Sequence, residues 1–109
     1  MRIVRLKPYL RACKAMGLDD EGMRRIELGL AAAPLAHPMM RGLRGVRKAR
    51  FALQGRGKSG GGRVIYYVAV AASTLFLLTA YPKNEADDLT PAQRKAILAT
   101  LQGMKGTSK

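Results

Sequence analysis

A chain of 109 residues predicts a single domain with one core of moderate size, which leaves little space for a separate cofactor-binding domain. Its 20 Lys and Arg residues against 7 Asp and Glu residues give a formal charge of +13, which favours nucleic acid as the partner over a surface that is cationic for solubility alone. The single cysteine excludes an intrachain disulfide framework and fits a reducing cytoplasm. One cysteine, one histidine and scattered carboxylates do not make a plausible metal site, and we expect no cofactor.

The N-terminal segment predicts a short strand followed by a short helix. Charged and apolar residues alternate from Arg2 to Leu6, without an apolar run long enough for a signal peptide. Leu6, Leu10 and Cys13 then recur at spacings of four and three, which predicts a helix that ends at Gly17. We expect Cys13 to pack in the core, because a catalytic thiol needs a histidine close by.

A second helix follows, with Asp19 or Asp20 as its N-cap and Pro34 at its end. Glu21 lies in the first turn, where its charge complements the helix dipole. The apolar stripe of this helix consists of Met23, Ile26, Leu30 and Ala33. We expect the two helices to form a hairpin that packs on a sheet.

The segment from Pro34 to Gly45 is rich in proline and glycine and predicts a loop, which contains His37. A loop histidine can act as a general acid or base. Exposure to solvent without a chemical role is the interpretation that we favour for it.

Residues 46–53 alternate clearly and predict a strand with two different faces. Lys48 and Arg50 lie side by side on one face, which suits contact with an RNA backbone. No carboxylate occurs between Leu28 and Asn84, so positive charge is concentrated in this part of the fold. The side chains expected to face the core are those of Ala49, Phe51 and Leu53.

The glycine-rich segment from Gly55 to Gly62 predicts the turn of a β-hairpin, because Arg63 begins another strand. Such a hairpin brings Arg63 close to Lys48 and Arg50. The segment also fits a relaxed nucleotide-binding P-loop pattern. A nucleotide-binding enzyme is nevertheless the least favoured function, because neither a helix directly after the loop nor a magnesium-binding acid at the end of a strand is predicted.

The uncharged run from Val64 to Tyr81 reaches the lower limit for a membrane-spanning helix. Its β-branched and aromatic residues, with a turn at residues 71–73, favour two buried strands joined by a short hairpin. We therefore expect no membrane partner.

The last predicted helix has the clearest boundary in the chain. Thr90 is its N-cap, Pro91 takes the first helical position, and Gln93 completes a capping box. Asp87 and Asp88 precede its positive end, where they need no catalytic explanation. Its apolar side consists of Ile97, Leu98 and Leu101, and residues 103–109 predict a frayed tail of the single domain 1–109.

Four segments of this sequence carry a resemblance to a known family. They are LRGVRKARFAL, GRGKSGGGRVIYY, LLTAYPKNEADDLTPAQ and, more weakly, MGLDDEGMRRIE. With them, nearly the whole chain resembles the RelE/HigB family of bacterial toxins from type II toxin–antitoxin pairs. The second and third segments together are specific for its HigB-like branch, which combines a GRGKSGG-type loop, an RVIYY strand and a YxKNExxDLT junction.

The resemblance implies an α+β fold of the microbial-ribonuclease type. Its order is βααβββα, with a mainly antiparallel sheet packed by an N-terminal helical hairpin and a C-terminal helix. It implies an endoribonuclease that enters the ribosomal decoding site and cuts mRNA there. It also implies a cognate antitoxin, usually with a helix-turn-helix DNA-binding part, through which the toxin reaches operator DNA.

Metal-independent RNA cleavage needs a base for the ribose 2′-hydroxyl, an acid for the departing 5′-oxygen and cations for the charge on phosphorus. Lys48, Arg50 and Arg63 match the family's basic strand positions, which implies roles in phosphate binding and charge stabilisation. Lys48 is also the better candidate for proton transfer, because arginine stays protonated. Lys83 and Asn84, after the last strand, complete the predicted catalytic set.

The sequence departs from the family pattern at Asn84, where a catalytic arginine is expected, and no tyrosine follows in the last helix. Glu85, Lys58 or a group of the ribosome are alternatives for the missing acid or base. The side chains predicted to bind RNA are those of Arg47, Arg56, Lys58, Tyr67 and Tyr81; the tyrosines either stack on bases or fill the core. A non-catalytic RNA-binding module of the same fold is the alternative function.

Overall fold

A four-stranded sheet with helices on both faces forms the fold in this computed structural model, which describes residues 1–53, 61–83 and 88–107. This architecture confirms the predicted α+β class and the βααβββα order. The elements are β1 (Arg2–Arg5), α1 (Lys7–Ala15), α2 (Asp20–Ala32), β2 (Arg47–Phe51), β3 (Gly62–Ala69), β4 (Thr74–Pro82) and α3 (Pro91–Thr107).

The strands lie in the order β1-β4-β3-β2. β2 pairs antiparallel with β3, and β3 pairs antiparallel with β4. β1 instead runs parallel to β4, with Arg2 opposite Thr74 and Arg5 opposite Leu77. The sheet is therefore mainly antiparallel, as predicted, and β2 forms one of its edges.

The N-terminal helical hairpin covers one face of the sheet. Tyr9 and Cys13 of α1 and Leu30 of α2 pack with buried strand residues such as Tyr66 and Leu75. Cys13 is 1% exposed, which confirms the prediction of a packing role, and burial raises the pKa of its thiol. A buried thiol that resists ionisation is a poor nucleophile.

The end of α1 and the start of α2 carry the local signals that the sequence predicts. Gly17, with a φ of 76°, follows α1 in the left-handed region that glycine adopts without strain. Asp19 is the N-cap of α2, where its side-chain Oδ1 accepts a hydrogen bond from the Gly22 N–H at 2.8 Å. α2 ends at Ala32, shortly before Pro34.

A buried ion pair joins β1 to the helical hairpin. Arg5 donates from Nε and Nη2 to the two carboxylate oxygens of Glu27, at 2.7 and 2.9 Å. Tyr9 donates its hydroxyl to the same carboxylate at 3.2 Å, and Arg5 also contacts Asp20 at 2.9 Å. Glu27 is 6% exposed, so these donors replace the water that its charge loses on burial.

α3 covers the opposite face, where Ile97 and Leu101 pack with buried strand residues such as Ile65 and Leu78 in a second core. The sheet therefore carries two cores, one on each face, where the sequence predicts one. The capping box is formed as predicted: the Thr90 N–H donates to Gln93 Oε1 at 2.8 Å, and the Gln93 N–H donates to Thr90 Oγ1 at 3.1 Å. The helix extends to Thr107, through much of the segment expected to fray. Fraying itself stays a prediction.

The uncharged run from Val64 to Tyr81 forms most of β3 and β4, joined by a turn at residues 70–73, which confirms the hairpin. A search of the described residues finds no helix of the length and apolarity needed to cross a membrane.

Gly62 begins β3 at the end away from that turn. A Cβ atom on Gly62 would collide with the ring of Phe51, its partner on β2. Glycine at this position therefore leaves room for the Phe51 ring to lie against β3.

Candidate nucleic-acid interface

Three of the predicted catalytic cations converge on one face of the sheet, as the hairpin prediction requires. Arg50 of β2 pairs directly with Arg63 of β3. Lys48 lies two residues before Arg50 and therefore projects from the same face of β2. β2 and β3 thus place two guanidinium groups and one ammonium group side by side.

Lys83 joins these cations from the end of β4. Its backbone N–H donates to the Gly61 carbonyl at 2.9 Å, which holds it beside the start of β3. A cleft of about 600 Å³, here called the cationic cleft, lies at this position. Its described lining residues are His37, Pro38, Lys48, Arg50, Arg63 and Lys83, none of which is acidic.

Among the residues that the structure describes, the carboxylate of Asp88, three residues before α3, acts electrostatically on this region. Asp88 Oδ1 accepts a hydrogen bond from the Leu89 N–H at 2.7 Å, and its Oδ2 contacts Arg94 at 3.1 Å. The Leu89 hydrogen bond foremost, then Arg94 and Lys48, lower the pKa of Asp88 below its usual range. Asp88 thus stays ionised near Lys48 and balances part of the positive charge.

Arg47, predicted to bind RNA, is placed away from the cationic cleft. It precedes Lys48 by one residue and therefore lies on the other face of β2, opposite Tyr66 of β3. Its Nη1 donates to the His37 carbonyl at 2.7 Å. Arg47 thus holds the loop before β2, and contact with RNA stays a prediction for it.

The strand tyrosines are packed into the protein. Tyr81 is 6% exposed within the second core, and Tyr67 packs partly buried against that core. Tyr66, on the other face, is fully buried and donates its hydroxyl to the Pro34 carbonyl at 2.7 Å. This packing favours the core-filling alternative for the rings, and stacking of Tyr67 and Tyr81 on bases stays a prediction.

His37 is less exposed than the sequence predicts for this loop residue. It is only partly exposed, and its ring meets that of Tyr66 edge to face, with centroids 6.1 Å apart. It also lines the cationic cleft. The sequence carries no local signal for this placement, because it depends on how the loop folds back on β2.

A second cleft of about 580 Å³ lies between α2 and β2 and shares His37 and Arg50 with the cationic cleft. Its walls include apolar side chains such as those of Ile26 and Leu30. The two clefts therefore adjoin each other at His37 and Arg50, on the outer edge of β2.

Three predicted site residues lie outside the described residues: Asn84, Arg56 and Lys58. The same holds for Glu85 and for most of the glycine-rich segment with its P-loop-like pattern. Within the described ranges, no group of three or more His, Cys, Asp or Glu residues is arranged to hold a metal ion.

Comparisons with known proteins agree with this architecture. A family model described as the RelE toxin of the RelE/RelB toxin–antitoxin system matches residues 1–108. A mutant of E. coli toxin RelE in the free state is similar, with 16% sequence identity and a TM-score of 0.52 over 79% of this chain and 86% of that chain. The conserved hypothetical protein HP0892 from Helicobacter pylori is similar with 23% identity and a TM-score of 0.54, over 78% of this chain and 97% of that chain. At these identities, the two solved structures support the shared fold.

Proposed function

This chain belongs to the RelE toxin family, and on that premise we propose that it is a metal-independent endoribonuclease that cleaves mRNA in the ribosomal decoding site. The observation that carries the proposal is the cationic cleft, in which Lys48, Arg50, Arg63 and Lys83 line one surface. Four cations in a cleft whose described lining residues include no carboxylate suit a phosphodiester, whose charge increases in the transition state.

The basic residues of the cationic cleft have different roles in the proposed reaction. Arg50 and Arg63, which stay protonated, bind the scissile phosphate and stabilise the added charge on its oxygens. Lys48 donates a proton to the departing 5′-oxygen, and Lys83 binds a neighbouring phosphate. Asn84, which follows Lys83 in the sequence, completes the set as a hydrogen-bonding group.

The proposal includes partners besides mRNA and the ribosome. A cognate antitoxin, with a helix-turn-helix part that binds operator DNA, neutralises the toxin. Its segment on the cationic cleft is acidic or of mixed charge, because a formal charge of +13 left uncovered binds RNA indiscriminately. Within the family, the loop and junction motifs support assignment of the chain to the HigB-like branch.

The first experiment measures mRNA cleavage on programmed ribosomes and maps the new ends. We expect the wild type to cut, and we expect Lys48→Ala and Arg63→Ala to lower the single-turnover rate by at least about 100-fold, since each removes charge stabilisation. The matched controls are Lys14→Ala and Arg11→Ala, which remove exposed cations from α1 on the other side of the sheet and leave the rate unchanged.

The same assay distinguishes the ribonuclease from the alternative function, a non-catalytic RNA-binding module. A wild type that binds ribosomes but leaves the mRNA intact, and whose expression does not stop growth, is a non-catalytic RNA-binding module. Loss of cleavage in the α1 controls to the same extent as in the cleft variants would show that total charge, and not the cleft, determines the rate.

A further inference from the structure

The loop that contains His37 is fixed to the outer edge of β2. The Lys48 N–H donates to the Pro38 carbonyl at 3.1 Å, and Met39 forms an isolated antiparallel bridge with Arg47. Arg47 Nη1 holds the His37 carbonyl at 2.7 Å. The main chain of His37 is therefore fixed next to Lys48.

The ring of His37 rests against the core. Its contact with Tyr66 is edge to face, at an interplanar angle of 83°. Tyr66 is itself fully buried and hydrogen-bonded to Pro34, at the start of the same loop. A ring supported in this way loses little further freedom when it acts on a substrate.

His37 borders both clefts, and charged groups line each of them. In the cationic cleft these are Lys48 and Arg50 of β2, Arg63 of β3 and Lys83 after β4. In the second cleft they are Asp19, Glu21 and Arg25 of the α2 end, again with Arg50, while Arg47 and Tyr66 contact His37 directly.

The roles assigned so far to the described residues of the cationic cleft do not include an acceptor for the proton of the ribose 2′-hydroxyl. Lysine and arginine side chains hold their protons at neutral pH, so they cannot take the proton of the ribose 2′-hydroxyl. Proline has no side-chain group that accepts a proton. Among the described lining residues, imidazole is the one group that exchanges a proton between pH 5 and 8.

We propose that His37 is a catalytic residue, the general base that accepts the proton of the 2′-hydroxyl; this inference rests on the proposed ribonuclease function. The 2′-oxygen forms a bond to phosphorus while the bond from phosphorus to the 5′-oxygen breaks. The 5′-oxygen keeps that electron pair and takes a proton from the ammonium group of Lys48. The products are a 2′,3′-cyclic phosphate and a free 5′-hydroxyl, after which His37 returns a proton to water and Lys48 regains one.

The test is the pH dependence of single-turnover cleavage on programmed ribosomes, between pH 5 and 8. For the wild type, the rate rises with pH over this range, because only the unprotonated imidazole accepts a proton. In His37→Ala the rate at pH 7.5 falls by at least about 100-fold and the rise is lost. Free imidazole added to His37→Ala restores part of the rate, an effect that a purely structural role does not produce.

Two further variants keep the test decisive. His37→Gln preserves most of the side-chain volume, and it replaces His37→Ala if that variant does not fold. Leu35→Ala changes an exposed side chain of the same loop and retains the wild-type rate and pH profile. Binding to ribosomes stays within about threefold of wild type in all these variants, because the inferred role lies in the chemical step.

The outcomes distinguish the inference from the function on which it rests. If the wild type cuts mRNA and the His37 variants keep the rise in rate with pH, His37 is not the base, and the ribonuclease function stands. If the wild type leaves mRNA intact, the proposed function fails and the inference fails with it.

Discussion

At the scale of single residues, the Glu27 carboxylate is a buried charge that depends on hydrogen bonds from its neighbours. It accepts hydrogen bonds from Arg5 of β1 and Tyr9 of α1, although it belongs to α2. Glu27 and Asp20 together hold the pKa of Arg5 above its ordinary value. One carboxylate thus determines how three elements meet.

Replacement of Glu27 by glutamine should destabilise the protein. The variant leaves the Arg5 guanidinium without its buried counter-charge, but Arg5 is 26% exposed and keeps Asp20. We therefore expect a loss of about 2 kcal/mol, below the 3–5 kcal/mol that is typical when a fully buried pair is broken. Urea denaturation followed by circular dichroism measures it.

Glu21→Gln is the matched control for this change. Glu21 pairs with Arg25 one helical turn away, and both side chains are largely exposed. Such a pair contributes about 0.5 kcal/mol or less. Equal losses from the two substitutions would contradict a special role for the buried pair.

At the scale of elements, α3 illustrates how local sequence determines a boundary. The two hydrogen bonds of the capping box satisfy backbone and side-chain groups at the helix start, and both were predictable from the Thr90 and Gln93 spacing. Because Ile97 and Leu101 of the same helix fill the second core, an unwound first turn would also loosen that core.

Thr90→Ala should lower the free energy of unfolding by about 1 kcal/mol, through loss of the N-cap. Thr100→Ala serves as its control: this threonine is exposed in the helix interior and donates to the Ala96 carbonyl at 2.9 Å. Alanine is the better helix former there, so Thr100→Ala should leave stability unchanged or slightly higher. Thermal unfolding of both variants checks which of them is less stable. A larger loss of stability in Thr100→Ala than in Thr90→Ala would refute the prediction.

The elements also show which information the sequence carries. Alternation and caps predict β2, the β3–β4 hairpin and both ends of α2 because each depends on neighbouring residues. The same alternation already places Arg47 on the Ala49 face, away from Lys48. Pairing of Arg5 with Glu27, the parallel β1–β4 contact and the position of His37 depend on distant segments, so no local pattern predicts them.

At the scale of the whole molecule, the formal charge of +13 should govern RNA binding. Affinity for single-stranded RNA should fall steeply as salt rises, because each neutralised phosphate releases counterions. Lys48→Ala should make the slope of log K against log salt concentration shallower by about 0.7, the contribution of one phosphate contact in a single strand. Fluorescence anisotropy over a salt series measures both slopes. The Lys14→Ala variant should retain the wild-type slope, and an equal change in it would indicate that RNA does not favour the cleft.

The parallel pairing of β1 with β4 has a consequence for how the protein is made. Residue 2 reaches its partner only after residue 74 has been synthesised, and the cationic cleft also needs Lys83 in place. Contacts this distant along the chain form late and slowly. On the proposed function, a nascent chain lacks a complete cleft until Lys83 has been synthesised, so the order of the strands delays the appearance of active toxin until at least that point.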